Sequence, residues 1–329
     1  VEYAYYGDET YGDAGDLKLV TLTTPLSDSG VSDEREKLYR YWEGTFNAST
    51  NPGHPHALKL VVDFEGARNF DYSETGGTEP EFDQGYLTAS HESLEPYASA
   101  YFEYDSSHRI DEAFFNGQCG CGGGADGTHL FEYESNGSYT DNSGYDQTWA
   151  RRTIVQRPDG SYLTQYFDET GQALHRVLTD ADPDNTSPAP NTWVTRIDRS
   201  TTGMVEERYW PDAVSSYTHS SGAISLESSA GLVRTYQRVS SGDTIGFYES
   251  TKYKRGDSGT AYFEDKQTYT TVSVTIGDVT VVRPLLSGKR VYSQAITSGT
   301  TGSYETTYSY SAYSSSLAIE TVTKTDPAV

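Results

Sequence analysis

A short unit occurs twice in the middle of the chain and constrains its fold more than any other feature. Tyr104-Asp105 and Phe167-Asp168 are each followed by two spacer residues, a turn residue and then a polar-aliphatic stretch. We call both of them Tyr-Asp units. An Asp at the start of a tight turn can accept hydrogen bonds from backbone N–H groups just ahead of it. The unit therefore predicts the end of one strand, a tight turn and the start of the next strand.

Strand-like and turn-like segments alternate along most of the chain from residue 129 onward. The 28 tyrosines and the many Thr, Val and Ser residues suit half-buried pleated surfaces. No segment of three helical turns carries a convincing apolar stripe. We therefore predict an all-β fold: elongated, twisted antiparallel sheets in a hairpin meander, with very little helix and room for two packed β domains.

Changes in this pattern suggest three regions. Residues 1–37 form an N-terminal strand segment that could serve as a donor or docking strand. Residues 38–225 hold the Tyr-Asp units, and residues 226–329 read as a plain C-terminal β-meander. The first residue is Val1 and no apolar leader follows it, so we expect a processed product or a part of a longer chain.

The charge balance excludes two classes of partner. Lys and Arg number 24 against 48 Asp and Glu, which gives a net charge of −24. Nucleic acids and anionic membranes require a cationic face, so neither is an expected partner. The chain also lacks an apolar run of about 18 residues, so we expect no membrane insertion. Divalent cations remain compatible partners.

A glycine-rich segment accompanies the Tyr-Asp units. With Gly117-Gln118-Cys119-Gly120-Cys121-Gly122-Gly123-Gly124, these units resemble the YD-repeat (RHS-type) family of bacterial secreted and cell-surface proteins, best over residues 38–220. The resemblance implies an extracellular or bacterial cell-surface location. It also implies a short helical insert after an aromatic strand, a His-containing loop and a second strand, which we place at Asp63–Tyr72 and Glu92–Ala100.

Three acids in one loop have the spacing of a calcium site. Asp180, Asp182 and Asp184 occupy positions 1, 3 and 5, but the glycine and the acid that a helix-flanked calcium loop needs are replaced by Asn185 and Asn191. The match is partial, and an acidic surface loop explains the same residues. We expect no required cofactor, with calcium as the one candidate.

The two cysteines lie two residues apart. Cys119 and Cys121 suit either a local disulfide or two buried thiols in an oxidising environment. A metal site would need two further ligands, and His54, His56 or His129 would have to supply them.

Three Asn-x-Ser/Thr tripeptides lie in turn-rich stretches. They begin at Asn47, Asn136 and Asn185, and Asn136 alone has an acid two residues before it, Glu134. We expect glycosylation first at Asn136.

The chain carries no convincing catalytic motif. Gly256-Asp257-Ser258-Gly259 matches part of the nucleophile motif of trypsin-like proteases, but Thr260 stands where the motif requires glycine and no triad histidine has the right context. A polar hairpin turn between Tyr253 and Tyr262 explains these residues. We therefore predict a protein that is not an enzyme.

Our preferred function is a secreted or cell-surface structural or adhesive β protein that assembles into filaments by strand exchange. Both end segments have strand chemistry, so copies of the chain are the expected partner. The residues that would form the contact are Val1, Tyr3, Tyr5, Ile319 and Val322.

Two alternative functions remain open. A glycan-binding module would use Trp42, Trp193 or Trp210 and exposed tyrosines as a stacking platform for surface glycans. A glycosidase would need two acids about 5 to 10 Å apart across a cleft.

Overall fold

The structure is a computed structural model of the chain. It describes residues 1–7, 10–25, 32–74, 85–115, 127–140, 147–185, 189–313 and 316–327. The glycine-rich segment with Cys119 and Cys121 lies outside the described residues. Among the described residues, no helix has the length and apolar character needed to cross a membrane.

The predicted all-β class is confirmed. The first ten strands are β1 (Glu2–Tyr5), β2 (Leu17–Pro25), β3 (Ser32–Tyr41), β4 (Leu58–Val62), β5 (Ala100–Tyr104), β6 (Ile110–Phe115), β7 (Thr128–Ser135), β8 (Arg151–Gln156), β9 (Tyr162–Phe167) and β10 (Ala173–Thr179). The others are β11 (Thr192–Arg199), β12 (Val205–Tyr209), β13 (Val214–Thr218), β14 (Ala223–Leu226), β15 (Leu232–Arg238), β16 (Tyr248–Arg255), β17 (Tyr262–Ile276), β18 (Val279–Tyr292), β19 (Ser303–Ala312) and β20 (Ile319–Thr325).

The helical content is small, as predicted. The described helices are α1 (Phe64–Glu74) and α2 (His91–Leu94), with 3₁₀ turns at Gly85–Leu87, Glu95–Tyr97 and Pro211–Ala213. α1, α2 and the Glu95–Tyr97 turn overlap the two stretches where the family resemblance implied a helical insert, and Gly85–Leu87 lies between those stretches.

The chain divides into two compact units. The first comprises Val1–Tyr133, Thr153–Leu163 and Asp180–Asp182. The second comprises Glu134–Arg152, Thr164–Thr179 and Pro183–Val329. The region boundaries predicted after residues 37 and 225 describe a different division and stay predictions.

Both units are antiparallel meanders. In the first unit, β1 to β7 pair in chain order. In the second unit, β10, β11 and β12 pair in order, β12 pairs with β15, and β15 to β20 continue the series. The hairpin β13–β14 forms a separate two-stranded sheet. The predicted hairpin meander is therefore observed.

One five-residue turn recurs at four hairpins, including both Tyr-Asp units. In each turn the N–H of the first residue donates to the carbonyl of the fifth, and the N–H of the fourth donates to the carbonyl of the first. The fourth residue has a positive φ, as in a type I turn that ends in a bulge. The four turns are Asp105–Arg109, Arg157–Ser161, Asp168–Gln172 and Ser200–Met204.

The aspartates act in these turns as the sequence predicts. The Asp105 Oδ1 atom accepts the N–H groups of Ser107 and Arg109 at 2.8 and 2.9 Å. The Asp168 Oδ1 atom accepts the N–H of Gln172 at 2.8 Å. These bonds satisfy backbone donors that the turn would otherwise leave to water.

The first unit has a core between its sheet and its helices. One face of β3 and β4 packs against α1, α2 and their flanking turns. The buried residues of this cluster are Leu38, Leu60, Val62, Ala67, Phe70, Tyr86, Leu94 and Ala98. Burial of each large apolar side chain contributes about 1.5–3 kcal/mol to stability, so the helical insert is held mainly by this contact.

A buried arginine fixes the segment between the two helices. The Arg40 guanidinium is fully buried and donates to the carbonyls of Tyr86, Leu87 and Ala89 at 3.0, 3.3 and 2.6 Å. Burial lowers the pKa of Arg40. The three carbonyl bonds offset the desolvation of this charge and hold the segment that leads into α2 against β3.

The described residues of the second unit form two smaller cores. One contains Tyr166, Val177 and Val194 and is covered by the β13–β14 hairpin through Val214, Tyr217 and Ile224. The other contains Tyr209, Ala213 and Val233. Arg152 lies beside the core that contains Tyr166. It donates to both Glu134 carboxylate oxygens at 2.9 and 2.8 Å and to the Tyr166 hydroxyl at 3.0 Å.

Candidate functional site

The three aspartates of the predicted calcium loop lie at the surface. Asp180, Asp182 and Asp184 are all exposed. One Asp184 carboxylate oxygen lies 4.0 Å from the Nε2 atom of His219. The calcium site at this loop stays a prediction.

The three Asn-x-Ser/Thr positions differ in how their side chains are used. Asn47 is exposed and its Oδ1 accepts the N–H groups of Ser49 and Thr50. Asn136 is half-buried and its Nδ2 donates to the carbonyl of Trp149 at 2.8 Å. A sugar on Asn136 would have to replace that bond. Asn185 is exposed.

Four of the five expected assembly residues lie on β1 or β20, and Val1 directly precedes β1. Within the described residues, β1 pairs with β2 alone and β20 pairs with β19 alone. Val1, Tyr3 and Tyr5 are 70%, 61% and 59% exposed. Val322 is 58% exposed, and Ile319 is half-buried opposite Ala312.

The three tryptophans named for glycan binding have different environments. Trp42 is buried and its indole N–H donates to the carbonyl of Phe102 at 2.9 Å. Trp210 has two guanidinium groups, those of Arg208 and Arg234, within 5.6 Å of its ring centroid. Trp193 is 45% exposed. Of the three indoles, Trp193 offers the most open surface for stacking.

The protease-like tetrapeptide forms part of a turn. Gly256-Asp257-Ser258-Gly259 connects β16 to β17, and Gly256 has a positive φ. The Asp257 carboxylate accepts the Tyr209 hydroxyl at 2.9 Å, and its carbonyl accepts Lys254 Nζ at 2.7 Å. The interpretation as a polar hairpin turn is consistent with this geometry.

Three side chains of the types that bind metal ions lie close together without having been predicted from the sequence. Asp13, Asp16 and His56 lie in the first unit with ligand atoms within 4.8 Å of one another. Among the described residues, this is the one group of three His, Cys, Asp or Glu side chains with ligand atoms at these distances. The signal in the sequence was weak, because Asp16 lies 40 positions before His56 and Asp13 lies still further away.

Hydrogen bonding within that group favours a proton over a metal ion. The His56 Nδ1 atom lies 3.0 Å from Asp16 Oδ1, and the Nε2 atom lies 3.5 Å from Asp13 Oδ2. A protonated imidazole can donate to both carboxylates, whereas a metal ligand needs a free lone pair on one ring nitrogen. The hydrogen bond to Asp16 and the charges of both aspartates raise the pKa of His56. We therefore interpret the group as a charged link between two loops.

Comparison with known proteins gives little further information. No family model matches the chain, and no curated protein matches it. Among solved structures, the crystal structure of TcdB2-TccC3-Cdc42 aligns with 90% of this chain and 16% of its own, at 10% identity and a TM-score of 0.30. The crystal structure of TcdB2-TccC3 aligns with 95% of this chain and 19% of its own, at 10% identity and a TM-score of 0.22.

The chain thus spans less than a fifth of the length of either of these structures. A likeness at these TM-scores does not bear on fold or function. The resemblance to YD-repeat proteins accordingly depends on the Tyr-Asp turns described above.

Proposed function

We propose that the chain is a non-catalytic β-structural protein of the extracellular space or cell surface that associates with further copies of itself through β1. The observation that carries this proposal is the state of β1. All four of its residues are exposed, and within the described residues it is hydrogen-bonded along one side only, to β2. An open strand side of this kind is a template for another strand.

The pairing of the terminal strands refines the expected mechanism. Since β1 already pairs with β2, and β20 with β19, neither strand needs a partner from another chain to complete its own sheet. A second copy would instead add a strand to the free side of β1. Main-chain hydrogen bonds would supply the attraction, and Tyr3 and Tyr5 would contribute buried ring surface.

Charge opposes this association. A net charge of −24 on each copy produces mutual repulsion, and salt screens that repulsion with a Debye length of about 8 Å at physiological ionic strength. We therefore expect the assembled fraction to rise with salt concentration.

Replacing two tyrosines of β1 by lysine tests the proposal. Tyr3→Lys with Tyr5→Lys should keep the protein monomeric, because edge lysines block strand addition. Tyr304→Lys with Tyr313→Lys is the matched control, since both tyrosines are 56% exposed and Tyr304 lies on β19, which has partners on both sides. Light scattering across a salt series measures the assembly, and equal assembly of both double variants would contradict the role of β1.

Glycan binding is the second candidate, and the exposed Trp193 indole favours it. An exposed aromatic ring can stack on a sugar face, and Trp193 lies in the second unit, away from β1 in sequence. Trp193→Ala should then abolish retention on immobilised polysaccharide and leave self-association unchanged. Unchanged retention would remove this candidate.

A further inference from the structure

A cleft in the first unit has the size of a small-molecule site. It lies beside α2 and the Glu95–Tyr97 turn, over strands β5, β6 and β7, and its volume is about 360 Å³. Pockets for small ligands have volumes of roughly 300–1,000 Å³. None of its lining residues belongs to the sites predicted from the sequence.

Two cross-strand pairs form the floor of the cleft. Tyr101 of β5 lies opposite Phe114 of β6, and Glu103 lies opposite Glu112. Directly opposite side chains have Cβ atoms about 4.5–5.5 Å apart, so the floor sets two carboxylates next to two aromatic rings. Burial and the charge of Glu103 raise the pKa of Glu112. Like charges in direct opposition are destabilising, and a cation between them would remove that cost.

The wall of the cleft adds negative charge and apolar surface. Glu92 and Glu95 approach from the helical side together with the ring of Pro96. Lys59 interacts electrostatically with three of these carboxylates, and its Nζ lies 4.0 Å from the Trp42 ring centroid. Burial lowers the pKa of Lys59, and the charges of Glu92, Glu95 and Glu103 oppose that effect. The described lining residues include four carboxylates and no Lys or Arg side chain, so the lining is negative.

We propose that this cleft binds a linear aliphatic diamine or polyamine. One ammonium group would lie between Glu103 and Glu112, where both carboxylates can accept its hydrogen bonds. The methylene chain would pack on the rings of Tyr101 and Phe114, and a second ammonium would reach Glu92 or Glu95. Aromatic faces also attract ammonium groups directly.

The mixed lining favours an organic cation over a metal ion. Calcium takes six to eight oxygen ligands, and the aromatic rings and Pro96 occupy sides of the cleft that such a shell would need. The excess of carboxylates disfavours anions. A ligand with charged ends and an apolar middle matches both parts of the lining.

Spermidine is the probe for the first experiment, with affinity measured by calorimetry at low salt. Glu103→Gln and Glu112→Gln should each weaken binding about tenfold, the loss expected for one charge-assisted hydrogen bond. Glu206→Gln is the matched control, because it removes one exposed carboxylate from β12 in the second unit and lies outside the cleft. It should leave the affinity unchanged.

The melting temperature of Glu112→Gln gives a second test, in which we expect an increase in stability alongside the loss of affinity. Without spermidine, Glu112→Gln should raise the melting temperature, because it removes the repulsion from Glu103. A site built for a cation thus becomes more stable and binds more weakly, whereas a purely structural residue would lose stability. Butylamine, which has one charge, should bind at least tenfold more weakly than spermidine, since it contacts one carboxylate pair only.

Three results would overturn the proposal. Equal spermidine affinity in all three variants would indicate a diffuse attraction to the acidic surface. Full competition by magnesium at matched ionic strength would indicate an ordinary cation atmosphere. A lower melting temperature of Glu112→Gln would indicate that the carboxylate pair stabilises the fold.

Discussion

The imidazole of His175 lies against the phenol ring of Tyr166, with 4.0 Å between the ring centroids. Both side chains are buried in the second unit. Burial, with the charge of Arg196, lowers the pKa of His175 to about 3. An unfolded His titrates near pH 6.5, so between about pH 6.5 and 3 the unfolded chain binds a proton that the folded chain does not.

Acid should therefore destabilise the protein through His175. The free energy of unfolding falls by about 1.4 kcal/mol per pH unit from this group as the pH drops below about 6.5. His175→Phe keeps a ring against Tyr166 and removes the titration. Urea unfolding at about pH 7 and pH 5 should show a smaller loss for the variant than for the parent protein. Equal losses would contradict the lowered pKa.

The opposite pH dependence is expected for His56. Its raised pKa means that the charged link to Asp13 and Asp16 contributes to stability at low pH and is lost as the pH rises through the folded-state pKa. His56→Gln should thus destabilise the protein at about pH 5 and have little effect at about pH 9. An effect that is the same at both values would show that the link does not depend on charge.

The turn aspartate Asp168 should be more important for stability than its small size suggests. It is 1% exposed, and its Oδ1 accepts the Gln172 N–H and the Thr170 hydroxyl. Asp168→Ala removes the acceptor of the half-buried Gln172 N–H and should cost about 1 kcal/mol, the usual net value of one hydrogen bond. Asp168→Asn keeps one acceptor oxygen and should cost less. Chemical unfolding of both variants checks this order.

Gly53 should not accept a side chain. A Cβ atom at this position would lie 1.9 Å from Cγ of Trp42, which is buried. Gly53→Ala should lower the free energy of unfolding by about 1–3 kcal/mol and change the tryptophan fluorescence. Gly137→Ala is the control, because nothing lies within 4 Å of a Cβ atom there. If Gly53→Ala changed neither the free energy of unfolding nor the fluorescence, the Trp42 ring would have to be free to move aside.

The calcium prediction is tested by chelation. If calcium binds at Asp180, Asp182 and Asp184, a chelator should lower the melting temperature and added calcium should restore it, because binding to the folded state adds RT ln(1 + [L]/Kd) to stability. Asp182→Asn should abolish the response, and Asp278→Asn, in the exposed β17–β18 turn, should not. A melting temperature unaffected by chelator would remove the site.

Local signals in the sequence predicted the fold class well. The Tyr-Asp units predicted hairpin turns at Asp105 and Asp168, and both turns are present because their hydrogen bonds join residues at most four positions apart. The positions of the short helices were also indicated. Gly66 lies inside α1, where glycine disfavours a helix, yet a Cβ atom there would lie 2.2 Å from the carbonyl oxygen of Tyr97. Packing from outside the helix thus accounts for this glycine.

The acidic cleft could not be predicted, because it depends on strand register. A shift in register between Glu103 and Tyr104 accompanies the turn to β6, and it decides which residue of β6 lies opposite Glu103. A register change of one residue would send Glu112 to the other face of the sheet. The burial of Trp42 likewise depends on the loop with Gly53, which folds back on it from outside its strand.

The recurrence of one turn geometry at four hairpins has a consequence for how such a chain can change its length. Two strands and two such turns return the chain to its starting direction and keep the alternation of side chains in phase. Whole hairpins can therefore be gained or lost in evolution without disturbing the strands on either side. An odd number of residues added inside a strand would instead exchange its inner and outer faces. Homologous chains should consequently differ by complete hairpins. The turn residues whose side chains accept backbone N–H groups, Asp105, Asp168 and Ser200, should be conserved among them.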